Sequence, residues 1–185
     1  MSQSTLLIVV VAVAFVSLAI VAWAAVQKMR TKRLRSRFGP EYERTVRQIG
    51  DRRKAEEELE ARKKRVAKLT LRPLSPDEHR RFARDWSAAQ ARFVDDPKGA
   101  VGDADRLVKE AMQARGYPIG DFEQRAADIS VDHPSVVSNY RSAREIAARS
   151  AEGKASTEDL RQAVVYYRAL FEELLETPQV VGVAS

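Results

Sequence analysis

The sequence predicts an all-α protein with an N-terminal transmembrane helix, a long charged helical stalk, and a small bundle-like domain of four main helices plus one short helix. Three observations predict this fold. No charged side chain precedes Lys28, although the 185 residues include 32 basic and 26 acidic ones. Apolar residues in the second half recur three and four positions apart, and no segment alternates like a strand. We expect an anchor over 1–27, a basic juxtamembrane segment and stalk over 28–69, a helical domain over 70–176 and a loose tail over 177–185.

The predicted anchor is the uncharged segment Leu6–Val26, which has 21 residues. As a helix it would extend roughly 31 Å, about the thickness of the hydrocarbon core of a bilayer. Its thirteen Leu, Ile, Val and Phe residues would favour insertion by roughly 4 to 8 kcal/mol. The segment is therefore predicted to cross a membrane.

A cleaved signal peptide is the alternative interpretation of this segment. Ala22-Trp23-Ala24 fits the small-x-small cleavage pattern. The residues before the apolar segment carry no Lys or Arg, however, and the segment is longer than the usual core of a signal peptide. We therefore favour a retained membrane anchor.

Basic residues follow the anchor immediately and predict its orientation. Within ten positions the chain has Lys28, Arg30, Lys32, Arg33, Arg35 and Arg37. The positive-inside rule then places the N-terminus outside and the rest of the chain in the cytoplasm. We expect Trp23 and these six residues to lie at the membrane interface and to attract anionic lipid headgroups.

The predicted stalk carries most of the positive charge. Residues 28–68 have 16 basic and 7 acidic side chains, whereas residues 69–185 have 16 basic and 19 acidic ones. After Gly39-Pro40 the pattern predicts one helix of about 29 residues to Lys68, with a weak point at Gly50. Ion pairs four residues apart would stabilise it, namely Glu43/Arg47, Glu58/Arg62 and Glu60/Lys64. A coiled coil between two copies is an open alternative, although the heptads are poor.

Capping signals divide the distal domain into helices. The pattern of a capping box occurs twice, at Ser75-Pro76 with Glu78 and at Ser156 with Asp159. Further helices are predicted to begin at Asp96-Pro97, near Phe122 for the short helix, and at Pro134 with Asp132 as its cap. Between the caps, apolar residues follow the helical period and predict a buried core.

The composition excludes several chemistries. The chain has no cysteine and two histidines, which excludes disulfides, thiolate nucleophiles and cysteine-ligated metals. Asp132, His133 and Ser135 include the residue types of a hydrolase triad, but they are too close in sequence to align as one. Asp95-Asp96 fits a helix cap better than a cation site, and Glu172-Glu173 fits a solvated face. We predict no catalytic residue, no metal ligand and no cofactor.

A turn-rich region is the best candidate for contact with a partner. Loops often carry binding residues, and this region contains Tyr117, Pro118, Asp121, Phe122, Asp132 and His133. The structural alternative is that Tyr117 and Phe122 close the end of the helical domain.

Several segments together resemble a family of bacterial single-pass membrane proteins that has no established activity. They are Arg37-Phe38-Gly39-Pro40-Glu41-Tyr42, Ala91-Arg92-Phe93-Val94-Asp95-Asp96-Pro97, Arg115-Gly116-Tyr117-Pro118, Asp121-Phe122-Glu123, Asp132-His133-Pro134 and Ser156-Thr157-Glu158-Asp159-Leu160-Arg161. The resemblance covers roughly residues 6–176. It implies a bacterial inner membrane and the order anchor, stalk and domain, and it implies no site residue.

Three function classes fit the sequence. The leading hypothesis is a non-enzymatic docking or scaffold module at the cytoplasmic face of the membrane, which binds a protein partner or a second copy of itself. An enzyme with an acid–base site between helices is the first alternative, and a deep pocket with two convergent ionisable groups would distinguish it. Nucleic-acid binding through the basic stalk is the second, and it is disfavoured because the distal domain is mildly acidic.

Overall fold

The computed structural model describes the backbone of residues 3–176 and the side chains of residues 13–176. Over residues 3–176 the chain forms eight helices and no strand, which confirms the all-α class. The helices are α1 (Gln3–Phe38), α2 (Pro40–Ile49), α3 (Arg52–Val66), α4 (Pro76–Arg92), α5 (Pro97–Ala114), α6 (Phe122–Asp132), α7 (Val137–Ala151) and α8 (Thr157–Leu175). The predicted loose tail over 177–185 lies outside the described residues.

Helix α1 joins the apolar segment to the rest of the protein without a break. It is long and apolar enough to cross a membrane, and its apolar side chains from Val13 to Val26 are exposed to solvent. At its other end, Leu34 and Phe38 are buried against neighbouring helices. One helix therefore carries both an unpacked apolar segment and part of a hydrophobic core.

The region predicted as one stalk helix forms two helices, so the prediction of a continuous helix is wrong. Gly39 has a φ of 49° and lets the chain turn sharply after α1. Gly50 has a φ of 74°, and its N–H donates to the Val46 carbonyl at 2.9 Å, which ends α2. Asp51 then caps α3, because its carboxylate accepts from the Lys54 N–H at 3.0 Å.

Helices α1, α2 and α3 pack on one another around a small hydrophobic core. Of the apolar residues in the predicted stalk, Tyr42, Leu59 and Val66 point into this core, Val46 packs against it, and Ile49 is 38% exposed. The core is completed by Leu34 and Phe38 of α1 and by Val131 of α6.

The predicted stalk ion pairs are only partly correct. Arg62 does pair with Glu58, at 3.0 Å. Glu43 pairs instead with Arg35 of α1 at 2.7 Å, and Glu60 pairs with Lys63 at 3.4 Å. The difference for Glu43 follows from the fold, because α1 lies beside α2 and offers Glu43 a basic partner, Arg35, from outside its own helix.

The distal helices α4, α5, α7 and α8 share the larger hydrophobic core. Trp86 of α4 stacks on Phe171 of α8 with ring centroids 4.4 Å apart. Both predicted capping boxes are confirmed, at Ser75 and at Ser156, and Asp96 caps α5 as predicted. The local capping rules therefore position these three helices correctly.

Helix α6 connects the two cores. Its Ala126 and Ile129 belong to the larger core, whereas Val131 belongs to the smaller one. Leu69 and Leu71, in the connection between α3 and α4, pack against both. The domain boundaries stay predictions, but the segment 28–69 is packed on the distal helices and does not stand apart from them.

The beginning of α7 differs from the prediction. Pro134 lies in a turn, and α7 begins at Val137 without a side-chain cap. Asp132 is the last residue of α6 and does not cap α7. Its carboxylate instead accepts a hydrogen bond from the Tyr117 hydroxyl at 2.8 Å. Asp132 therefore does not serve as the helix cap that the sequence suggested.

Candidate membrane-proximal functional site

A groove of about 690 Å³ lies where α1 leaves its apolar segment and meets α3. It begins at Val26, the last residue of that segment, and continues for three turns of α1. Its lining consists of Val26, Met29, Arg30, Lys32, Arg33, Leu34, Ser36, Arg37, Glu60 and Lys63. The fold thus gathers four of the six predicted interface cations into one concave surface.

The groove is strongly basic. It contains five cationic side chains and a single carboxylate, that of Glu60, which already pairs with Lys63 at 3.4 Å. Within the part of the chain that the structure describes, Arg30, Lys32 and Arg33 have no salt bridge or side-chain hydrogen bond. Their charges therefore lack a protein counter-ion.

The remaining predicted interface residues lie outside the groove. Trp23 is 66% exposed on α1. Lys28 is also exposed. Arg35 pairs with Glu43 and lies over the Tyr42 ring, with 5.4 Å from its guanidinium carbon to the ring centroid. Arg35 therefore holds α1 to α2 and is less free to reach a membrane.

A buried ion cluster links the smaller core to α7. The Glu41 carboxylate, 3% exposed, accepts from Arg62 at 3.3 Å and from Arg141 at 2.9 Å. Arg141 also pairs with Glu123 at 2.6 Å. Burial works against the charged guanidinium, but the hydrogen bonds and charges of Glu41 and Glu123 outweigh it, so the pKa of Arg141 lies above its ordinary value.

A second buried carboxylate ties α3 to α1 and α2. Glu56 accepts from the Thr31 hydroxyl at 2.7 Å, from the Tyr42 hydroxyl at 2.8 Å and from Arg52 at 3.2 Å. Burial disfavours its charge, but these three donors outweigh the burial and hold the pKa of Glu56 below its usual range. The same burial, with the Glu56 carboxylate beside it, raises the pKa of Tyr42.

A third contact fixes α3 to α6. Asp128 has no exposed surface and accepts from Arg65 at 2.8 Å and from the Gln124 amide at 2.9 Å. The buried carboxylates of Glu41, Glu56 and Asp128 therefore each accept hydrogen bonds from more than one side chain. Such shared acceptors hold the helices in one register.

The smaller groove between α2 and α7, of about 220 Å³, offers no free acid–base pair. It is lined by Pro40, Glu41, Arg44, Arg47, Ser138, Arg141, Ser142 and Glu145. Its two most buried ionisable groups, Glu41 and Arg141, are bonded to each other. The geometry of this groove therefore does not favour the acid–base alternative.

The predicted partner-binding residues are not brought together as one exposed face. Tyr117 is 3% exposed and belongs to the larger core, which favours the structural alternative for this residue. Burial is the main reason that the pKa of Tyr117 is raised, and the charge of Asp132 adds to it. Phe122 is half-buried against Tyr140, with ring centroids 5.1 Å apart.

Pro118 and Asp121 do lie on the surface. The segment between Tyr117 and α6 is exposed, including Ile119 at 43%. Asp121 caps α6, because its carboxylate accepts from the Gln124 N–H at 2.8 Å. Pro118, Ile119 and Asp121 thus remain accessible, and we call them the α5–α6 loop surface.

Asp132, His133 and Ser135 do not form a triad. His133 Nδ1 lies 2.9 Å from a Glu173 carboxylate oxygen, and Asp132 bonds to Tyr117. Ser135 is exposed. The sequence suggested that Glu172 and Glu173 both lie on a solvated face. Glu173 instead lies against His133, whereas Glu172 is exposed and pairs with Arg168.

Over the described residues, no group of three or more His, Asp or Glu side chains has the arrangement of a metal site. His79 is exposed in the first turn of α4. Sequence reasoning missed the shared acceptors Glu41, Glu56 and Asp128. One signal was available for Glu41, since it follows Gly39-Pro40 at a chain reversal, but nothing local identifies a partner 100 positions away.

The chain has no match among family models, curated proteins or solved structures. The resemblance to a family of bacterial single-pass membrane proteins therefore stays a prediction.

Proposed function

We propose that the protein is a single-pass docking module that holds a helical, bundle-like body against the cytoplasmic face of a bacterial cell membrane and binds a protein partner there. We assign it no enzymatic activity. The observation that carries the proposal is the continuity of α1, whose exposed apolar part leads directly to buried Leu34 and Phe38. An anchor joined in this way fixes the body in place.

The exposed apolar part of α1 supports membrane insertion. Side chains such as Phe15 at 72% exposure and Leu18 at 67% have no protein neighbours to cover them. A continuous apolar surface of this kind is unfavourable in water and marks contact with lipid or another protein. The basic residues that follow it support a cytoplasmic body.

The folded-back helices support close docking at the membrane. Val26 and Phe38 are twelve residues apart on α1, so the smaller core lies only about 18 Å along the helix from the end of the apolar segment. A partner bound to the body would then be held next to the lipid surface. A freely extended stalk would allow a much larger range of positions.

The α5–α6 loop surface is the part of the predicted binding face that remains accessible, and it is our proposed partner contact. It offers an exposed apolar residue, Ile119, between Pro118 and the carboxylate of Asp121. The ionisable groups nearest to it are engaged in helix contacts, which favours binding over catalysis.

In-cell photo-crosslinking tests this proposal. A photoreactive amino acid at Ile119, 43% exposed, is compared with one at Val165 of α8, which is 44% exposed. We expect a discrete adduct from position 119 and none from 165. An adduct at twice the 20.8 kDa mass of the chain would identify a second copy as the partner. Equal, diffuse labelling from both positions would contradict a specific contact at this surface.

The cations of the predicted stalk give little support to nucleic-acid binding. Arg62 is 10% exposed and is bonded to Glu41 and Glu58, and Arg65 is bonded to Asp128. Arg30, Lys32 and Arg33 adjoin the apolar segment, where lipid phosphates would compete for them. A binder of nucleic acid would need these side chains to be accessible together.

A further inference from the structure

We propose that the groove between α1 and α3 binds the phosphate-bearing headgroup of an anionic phospholipid. This inference rests on the proposed function, because it requires the apolar part of α1 to lie in a bilayer. It adds a defined lipid site to a general attraction between basic residues and a membrane. Arg30 and Arg33 are its principal phosphate ligands.

Charge is the first argument for this ligand. Five cations and one carboxylate line the groove, and Lys63 already neutralises that carboxylate. Arg37 lies 3.9 Å from Asp132, which is too long for a hydrogen bond, so it also retains donors. An anion with several acceptor oxygens is the chemical class that matches these unmatched donors, and the planar guanidinium fork binds phosphate with two parallel hydrogen bonds.

Height along α1 is the second argument, and it separates a lipid from a soluble anion. At 1.5 Å per residue, Arg30 lies about 6 Å and Arg33 about 10 Å beyond Val26, whereas Arg37 lies about 16 Å beyond it. The headgroup layer on each side of a bilayer is about 5 to 8 Å thick. Arg30 therefore lies at phosphate level, Arg33 reaches it with its long side chain, and Arg37 lies above it.

The shape of the groove is the third argument. Its membrane end is apolar and exposed, with Val26 at 57% and Met29 at 53% exposure, and buried Leu34 lies further along its lining. The cations lie beyond this apolar end. A phospholipid has the same order of parts, with apolar chains below a charged phosphate, and the volume of about 690 Å³ falls within the range of small-molecule sites.

The test measures which lipid stays bound to the full chain. The protein is reconstituted in nanodiscs of equimolar phosphatidylcholine and phosphatidylglycerol and then released for native mass spectrometry. We expect one phosphatidylglycerol to be retained per chain in preference to phosphatidylcholine. In the R30Q/R33Q variant we expect this preference to fall about thirtyfold, the effect of two charges at the membrane surface.

One control has a defined outcome. R161Q/R168Q removes two exposed cations from α8, with 54% and 51% exposed side chains, and should retain the lipid. Equal losses in R161Q/R168Q and R30Q/R33Q would mean general charge attraction and would overturn the site. Displacement of the lipid by excess inorganic phosphate would also overturn it, in favour of a soluble anion.

The anchor is tested separately in the same sample. A Cys at Leu18 carries an environment-sensitive fluorophore, which is unambiguous because the chain has no cysteine. If Leu18 reports lipid and no phosphatidylglycerol preference is seen, the lipid site is wrong and the anchor stands. If Leu18 reports water, the anchor and the lipid site both fail.

Discussion

Glu41 and Arg141 are 100 positions apart in the chain, yet a carboxylate oxygen of Glu41 lies 2.9 Å from Nη2 of Arg141, and both side chains are almost completely buried. Glu41 is in the first turn of α2, and Arg141 is on α7. The contact joins the segment nearest to the anchor to the distal helices. Arg62 of α3 bonds to the same carboxylate, so one acidic group holds three helices.

Removal of the Glu41 charge should destabilise the protein strongly. In Glu41→Gln, the buried guanidinium groups of Arg62 and Arg141 lose the carboxylate that they share and keep only Glu58 and Glu123 as acidic partners, at a cost of about 1 to 3 kcal/mol. The matched control is Glu43→Gln on the same helix, whose exposed pair with Arg35 is worth less than about 1 kcal/mol. Chemical unfolding of both variants in one detergent measures the difference. Equal effects would contradict the role of Glu41.

The hydrogen bonds of Glu56 should make the stability of the folded protein depend on pH in the acidic range. The folded-state pKa of Glu56 lies below its unfolded value, because hydrogen bonds from Thr31, Tyr42 and Arg52 outweigh its burial. Its contribution is therefore complete above the unfolded pKa of about 4.3 and is lost as the pH falls through the folded pKa. We expect Glu56→Gln to be less stable at pH 7 and to lose less stability on acidification.

A thermal unfolding series from neutral pH to about pH 3 checks this. The control is Glu57→Gln, whose side chain is 55% exposed and pairs with Arg53. It should keep the acid sensitivity of the natural sequence. If the two variants follow the same curve, the hydrogen bonds of Glu56 do not contribute as described.

Two glycines should differ in their tolerance of alanine. Gly116 has a φ of 96°, and a Cβ there would lie 2.5 Å from the Thr70 carbonyl oxygen. Gly50 has a φ of 74° but open space around it. Gly50→Ala should cost about 1 to 2 kcal/mol for the left-handed conformation alone. Gly116→Ala should cost more, because the backbone must also move. Unfolding measurements that reverse this order would contradict the packing of the α3–α4 connection against the end of α5.

The folded-back arrangement of α1 and α3 predicts a short distance that an extended stalk does not allow. Glu56 bonds to Thr31, so Lys54 and Lys28 lie near the same level on adjacent helices. Packed helices have axes about 8 to 10 Å apart, so spin labels at these two exposed positions should be within about 20 Å of each other. One extended helix would separate them by about 39 Å, from 26 residues at 1.5 Å each. Pulsed electron spin resonance on the full chain distinguishes the two values.

The features that could be predicted from sequence are those with local causes. Ser75, Asp96 and Ser156 cap helices through residues only three positions away, so their helices begin where expected. The apolar segment of α1 is likewise defined by composition alone. The beginning of α7 was misplaced because Asp132 has the residue type of a cap but bonds to Tyr117, fifteen positions earlier.

The positions at which the chain reverses and the arrangement of the candidate site could not be predicted, because they depend on contacts between residues far apart in the sequence. Gly50 was visible as a weak point, but whether the chain bends or reverses there depends on what α3 packs against. The hydrogen bond from Thr31 to Glu56 and the bond from Arg65 to Asp128 determine that the chain reverses there. These contacts join residues that are 25 and 63 positions apart. The basic residues after the anchor were predicted as an interface, but their arrangement in a groove needs Glu60 and Lys63 from α3.

The most direct test of the central claim is the topology of the full chain in intact bacterial cells. Because the natural sequence has no cysteine, single Cys residues at Ser4 and at Val94, which is 84% exposed on the body, can be probed with a membrane-impermeant maleimide. We predict that position 4 is labelled in intact cells and that position 94 is labelled only after the membrane is permeabilised. Labelling of position 94 in intact cells, or recovery of the full-length chain in the soluble fraction, would contradict a body held at the cytoplasmic face.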